Sequence, residues 1–209
     1  GTLTIDNSVI NAKTMGVQVC SGSLNITGAK TAITVTGDGI PKTINDGAIE
    51  DGAAISIVNR TGYKGLSNIE VKGGTFTAKD GNAAVKAYNW KDLTESAFDN
   101  SENVVAISGG TFSSEVDKSL CADGYIPTKN ADGTYGVKEG HYVAAVGSKK
   151  YEPLADAIRL AGKGKTITLL CDVADCGSLT ISKNITLDGG GHTISGNSSI
   201  SLNLPGNAA

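Results

Sequence analysis

The sequence predicts an all-β chain wound as a right-handed parallel β-helix, a solenoid with a hairpin cap and one short amphipathic capping helix. Three observations carry this. Short patches alternate apolar and polar residues, each followed by Gly, Asn, Asp or Ser, as short strands joined by tight turns do. Phrases recur: Gly1-Thr2-Leu3-Thr4-Ile5, Gly22-Ser23-Leu24-Asn25-Ile26 and Gly177-Ser178-Leu179-Thr180-Ile181 share the form G-[ST]-L-[TN]-I, the first two 21 residues apart. Self-similarity at that period is the mark of a solenoid rather than a sandwich. Composition is the third: of 209 residues 28 are Gly, 3 Phe and 1 Trp. Glycine is roughly twice its usual share. It supplies positive-φ corners, and a narrow tube filled by Val, Ile, Leu and Ala needs few aromatic rings.

The chain opens inside a strand pattern, with Gly1 rather than Met, so it is expected to be cut from a longer protein whose targeting signal and anchor lie outside it. Stacking at strand spacing, about 4.8 Å, would align the inward pairs Leu3/Ile5, Leu24/Ile26, Ile69/Val71 and Val105/Ile107. Further short strands are expected at Val17–Val19, Ile33–Val35, Ile55–Ile57 and Ala84–Ala87. A second phrase, Ile69 through Phe76, returns 36 residues later as Val105 through Phe112, each ending Gly-Gly-Thr-Phe. That spacing is one coil plus an excursion, Tyr88 through Asn100, expected to form a short helix or lid beside the rod. Pro41, Pro127, Pro153 and Pro205 are expected outside the strands, where no ladder hydrogen bond is lost.

After Phe112 the pattern changes. Tyr125–Lys129 and Thr134–Val137 flank Asn130-Ala131-Asp132-Gly133, a β-hairpin with an Asp-Gly turn. Tyr142–Val146 and Tyr151 flank a second turn. Residues 153–161 form the one helix: Pro153 suits its first position. Leu154, Ala157, Ile158 and Ala161 make an apolar stripe, and Gly162 and Gly164 stop it. Strands resume at Thr166–Leu170, and the chain stops soon after Ser201–Pro205. Open β-helix ends are pairing-prone edges that repeat proteins cover with atypical units. The hairpin is expected to cap one rod and the helix the start of the next, dividing the chain into 1–137 and 138–209.

Several phrases resemble a known family. They are Ile107-Ser108-Gly109-Gly110-Thr111-Phe112, Ala122-Asp123-Gly124-Tyr125, Leu154-Ala155-Asp156-Ala157-Ile158, Gly164 through Val173, and Gly191-His192-Thr193-Ile194. They look like the pectate-lyase-like right-handed β-helix modules of large secreted, adhesin-like surface proteins of anaerobic gut bacteria. The resemblance implies an extracellular, cell-surface setting. In that family the helix-led segment precedes coils of the G-T-L-T-I kind; here it follows them, as if one module ended and another began. Cys171 departs from the Lys or Ala expected there.

No catalytic constellation is found. A pectin-degrading lyase needs an Arg or Lys base beside Ca²⁺-binding acids, and a hydrolase needs carboxylates on adjacent coils. The chain has only Arg60 and Arg159, the latter on the expected helix, and Asp6, Asp38, Asp80 and Asp188 sit at turns. His141 and His192 lack neighbours in sequence for metal or acid–base work. Cys20, Cys121, Cys171 and Cys176 allow three disulfide pairings, or stay reduced as small core residues. No metal or cofactor is expected. With a net charge of −3 and no basic run there is no footprint for nucleic acid, and no apolar run is long enough to span a bilayer.

The expected role is a non-catalytic extracellular segment, a stalk with an adhesive surface for a host protein or glycan. The alternative is a polysaccharide lyase or glycoside hydrolase of the pectin-degrading type. Ligand binding is assigned to Tyr63, Tyr88, Trp90 and Phe98, since exposed rings stack on sugars and anchor protein partners; the other reading is that these rings cover the flank of the rod. Head-to-tail self-association through open β-helix ends is also expected, coils 166–204 of one copy stacking on Gly1–Ile5 of the next.

Overall fold

A computed structural model describes residues 1–203. Leu204 and Pro205, assigned above to the end of the last coil, lie outside the described residues. The chain divides into two compact units, Gly1–Glu139 and the remainder from Gly140.

In the first unit the strands are β1 (Thr2–Asp6), β2 (Val9–Ala12), β3 (Val17–Val19), β4 (Gly22–Thr27), β5 (Ala32–Val35), β6 (Ile55–Arg60), β7 (Leu66–Val71), β8 (Thr75–Thr77), β9 (Val85–Lys91), β10 (Thr94–Ala97), β11 (Val105–Ile107), β12 (Thr111–Phe112), β13 (Tyr125–Lys129) and β14 (Tyr135–Glu139). They make three sheets. One is β1-β4-β7-β11, parallel throughout. Another is β3-β6-β9, parallel, with β10 added antiparallel. The third runs β2-β5-β8-β12 in parallel and continues antiparallel into β14 and β13.

The register explains the alternation in the sequence. Leu3, Leu24, Ile69 and Val105 are successive partners, and so are Ile5, Ile26, Val71 and Ile107. Ile10, Ile33, Phe76 and Phe112 form a third row. One side of each sheet thus feeds a single apolar cluster, within which Leu24, Ile26, Ile69 and Phe112 have no solvent exposure. Register slips once, between Gly22 and Ser23, where Gly22 faces Leu66 but Ser23 faces Asn68. Ser67 is the extra residue of a bulge.

Two expectations need correction. The excursion after Tyr88 is neither helix nor lid. It is a β-hairpin in which Lys91 pairs Thr94 and Tyr88 pairs Ala97. Asp92 and Leu93 form its turn with φ of 49° and 59°, the two positive-φ residues that match the twist of paired strands. Pro127 lies inside β13, tolerated because β13 is the outer strand of its sheet. Residues 36–54, between β5 and β6, form an irregular segment with no alternating pattern in the sequence.

The second unit contains β15 (Ala144–Val146), β16 (Lys149–Tyr151), α1 (Leu154–Leu160), β17 (Thr166–Leu169), β18 (Val173–Ala174), β19 (Gly177–Ile181), β20 (Thr186–Asp188), β21 (Ile194–Ser195) and β22 (Ser198–Leu202). β17-β20, β18-β21 and β19-β22 are parallel pairs, and β15 with β16 extends the first of them antiparallel. Pro153 stands at the N-cap of α1 rather than at its first turn, and the helix stops at Ala161, whose backbone is extended. Leu154, Ala157 and Ile158 bury the helix stripe against a separate apolar cluster with Ile167, Leu169 and Leu179.

Candidate functional site

On β6 and β9 alternation sends Ile55, Ile57, Val85 and Ala87 to the main core and leaves Ser56, Val58, Arg60 and Lys86, Tyr88, Trp90 on the other face. Ser56 pairs Lys86, Val58 pairs Tyr88 and Arg60 pairs Trp90. An outer face of a sheet normally meets water. Here it is covered by the 36–54 segment. Ile49 descends onto Val58, Tyr88 and Trp90 as a small second core, with Cys20 against it. Trp90 keeps 6% of its surface and Tyr88 5%. The expectation of exposed rings at these two positions is therefore corrected: their own chain covers them. They meet edge to face, centroids 6.4 Å apart.

Polar contacts hold the covering segment down. Gln18, facing outward on β3, donates from Nε2 to the Ile49 carbonyl at 2.8 Å and accepts from the Ile49 N–H at 3.2 Å. Thr14 bonds Glu50. Asp51 accepts from the hydroxyls of Ser56 at 2.5 Å and Tyr88 at 2.9 Å, while Lys86 donates to its carbonyl at 3.1 Å. Burial, then the Asp51 charge, pushes the Tyr88 hydroxyl far above its ordinary range. Arg60, 5% exposed, donates to the carbonyls of Gly47, at 2.6 Å, and Asn45. The Cys20 thiol is pushed up by burial and pulled back by the Arg60 guanidinium. The Trp90 indole N–H is buried with no hydrogen-bond partner.

Tyr63 and Phe98 sit apart from that pair. Tyr63, 49% exposed, lies on the turn after β6 with its ring 5.3 Å from the Arg60 guanidinium. Phe98 follows β10, half-buried against the main core. It lines a cleft of about 360 Å³ with Lys86, Glu95, Asp117 and Ser119. One cation, two carboxylates and a ring edge there suit a hydroxyl-rich ligand such as a sugar. The structure brings Tyr88 and Phe98 to this cleft; Tyr63 and Trp90 do not line it. The covering segment was missed because its anchors Asn45, Gly47, Ile49 and Asp51 form no motif. The available signal was the long gap between two strand patches.

In the second unit a cleft of about 450 Å³ is lined by His141, Glu152, Asp172 and Cys176 among apolar residues. His192 Nδ1 lies 3.6 Å from Asp172. The Thr193 backbone N–H, first, and then His192 hold the Asp172 carboxyl below its ordinary range. Arg159 pairs with Asp156 at 2.6 Å on α1. All four cysteines are free, and burial pushes the Cys121 thiol up to about 11. Among the described residues no group of three or more His, Cys, Asp or Glu side chains converges as a metal site, and no helix is long and apolar enough to cross a membrane. Comparison of the chain with protein-family models, with curated proteins and with solved structures finds no match.

Proposed function

We propose that the chain is a non-catalytic stretch of a right-handed parallel β-helix from an extracellular bacterial surface protein, serving as a stalk with an adhesive surface for host or glycan ligands. One observation carries the reading. Inward residues stack in register through four successive parallel strands, Leu3 to Val105 and Ile5 to Ile107, although the chain between neighbouring strands varies in length. Such stacking makes each coil depend only on its neighbours, the construction of a rod that lengthens by repetition. Both arginines are committed elsewhere, Arg60 to loop carbonyls and Arg159 to Asp156, which favours a scaffold over a lyase.

The outermost strands support a second part of the reading. Leu3 on β1 and Ile200 and Leu202 on β22 occupy the inward register, yet remain exposed. β22 pairs in parallel with β19, whose Gly177–Ile181 carries the same phrase as β1, so β22 of one copy can accept β1 of another head to tail.

Printed arrays of neutral and acidic glycans, mucin and immunoglobulins test the adhesive role. Retention without turnover is expected, weakened by Glu95→Gln or Phe98→Ala at the hairpin cleft. Hydrolysis or elimination of a polysaccharide, abolished by one Asp, Glu or Arg substitution, would overturn it.

A further inference from the structure

The covering segment carries an Asp-Gly pair whose two residues are hydrogen-bonded to each other. Asp46 precedes Gly47 on its exposed outer side, and the Gly47 backbone N–H donates to Oδ1 of Asp46 itself at 2.7 Å. This contact holds the Gly47 nitrogen against the Asp46 carboxyl group, and glycine presents no side chain to obstruct an approach. Asp51, Asp132 and Asp188 also precede glycine, but their Oδ1 atoms accept from the residue two further on: Ala53 at 3.0 Å, Thr134 at 2.9 Å and Gly190 at 3.0 Å. In those turns the carboxylate is drawn past the adjacent amide. Asp38, Asp80 and Asp123 precede glycine as well, and of these seven Asp-Gly pairs only at Asp46 does the glycine nitrogen itself donate to the carboxyl group, the arrangement that favours an intramolecular reaction.

We propose that Asp46 is a self-modification site whose product unlatches the covering segment. The Gly47 nitrogen forms a bond to Cγ of the protonated Asp46 carboxyl. The Cγ–OH bond breaks, the amide proton and the hydroxyl leave as water, and a succinimide ring closes. Water then adds at the former backbone carbonyl and the ring opens. The chain now runs through the side-chain carbonyl as isoaspartate, with one more methylene in the backbone and no net change in mass or oxidation state. This lengthening falls between the Asn45 and Gly47 carbonyls, the two that Arg60 grips. The fork of one guanidinium fits two acceptors at a fixed separation, so the longer link releases at least one of them. Release uncovers Val58, Tyr88 and Trp90, whose burial depends on this segment.

The test uses the full chain, aged at neutral pH in plain buffer. Peptide mapping with electron-transfer fragmentation is expected to find isoaspartate at Asp46 accumulating several-fold faster than at Asp51, Asp132 or Asp188. Trp90 is the only tryptophan, so its acrylamide quenching is expected to rise in step. Asp46→Glu, which would need a larger ring, is expected to start with wild-type fluorescence and keep it on ageing. Equal or slower accumulation at Asp46 overturns the site. Accumulation with unchanged Trp90 quenching overturns the unlatching.

Discussion

The rings of Phe76 and Phe112 stack with centroids 5.1 Å apart at an interplanar angle of 23°, and the glycines two residues before them make this possible. Gly74 and Gly110 have φ of 110° and 117°. A Cβ on Gly110 would lie 2.9 Å from Cζ of Phe112 and 3.0 Å from Cε2 of Phe76. The repeated Gly-Gly-Thr-Phe is thus one packing unit. Gly110→Ala is expected to cost about 2–4 kcal/mol, adding a core clash to backbone strain of about 1–3 kcal/mol. Gly133→Ala has φ of 89° but open space around its Cβ, and is expected to cost only the strain. Urea unfolding monitored by circular dichroism measures both. Equal losses would show that the rings shift to accommodate the methyl group.

Which features were legible in the sequence follows from how they are encoded. Leu24, Ile69 and Val105 bury themselves by period-two alternation within recurring phrases, so the two rows they and their neighbours Ile26, Val71 and Ile107 form could be written down beforehand; the row of Ile10, Ile33, Phe76 and Phe112 spans patches of unlike sequence and could not. Trp90 and Tyr88 obey the same alternation and stand on the outer face, where the pattern predicts exposure. Their burial depends on Ile49 and on Arg60 reaching the Asn45 and Gly47 carbonyls. Backbone carbonyls have no letter in a sequence, and of the loop's isoleucines only Ile49 is buried while Ile40 and Ile44 stay exposed, so they set no period. The excursion after Tyr88 was misread because its turn uses Asp92 and Leu93 at positive φ, where Leu is an unusual choice.

The apolar rows predict a gradient of mutational cost. Ile69 is fully buried between Leu24 and Val105, whereas Leu3, in the same row, is 51% exposed. Ile69→Ala is expected to cost about 2–5 kcal/mol. Leu3→Ala is expected to cost under about 1 kcal/mol, because most of that side chain is still in water. Equal costs in urea titrations of the two variants would mean that another surface covers Leu3 in solution.

Acid should loosen the turns before the core. Hydrogen bonds from Thr134 hold the Asp132 carboxyl below its ordinary range, and those from Ser101 do the same for Asp99. A carboxyl depressed in the folded state favours folding above its unfolded pKa, about 3.9. That contribution fades as pH falls through the lower folded value. Carboxyl ¹³C titration is expected to give midpoints below 3.9, roughly the model-peptide value, at both residues. Thr134→Val, which removes the hydroxyl bond, is expected to raise the Asp132 midpoint. An unchanged midpoint would assign the depression to the Thr134 backbone N–H alone.

Cysteine reactivity should separate the four thiols. Cys121 is buried, and its pKa of about 11 leaves the thiolate scarce at neutral pH. The thiolate is the reactive form, so native labelling with a maleimide is expected to leave Cys121 until last. After denaturation all four should react. Early labelling of Cys121 would mean that the segment around Lys118–Leu120 opens in solution.

Arg60 supplies the most direct test of what holds the covering segment. It is a buried guanidinium whose two hydrogen bonds go to uncharged carbonyls on a loop that Ile49 anchors over Trp90. Bonds from a charged donor are worth about 1.5–3 kcal/mol each, so Arg60→Ala is expected to detach residues 45–47 and admit water to Trp90. Arg60→Lys keeps the charge and most of the stem but cannot fork to two carbonyls; quenching of Trp90 by acrylamide should then fall between wild type and Arg60→Ala. The indole N–H has no partner while covered. Uncovering therefore gives Trp90 a hydrogen bond to water, which partly offsets the lost apolar contact. If Trp90 in Arg60→Ala stays as shielded as in wild type, the Gln18–Ile49 bonds and the Asp51–Tyr88 bond hold the segment without the arginine. The double variant Arg60→Ala with Asp51→Asn would then be the one to open it.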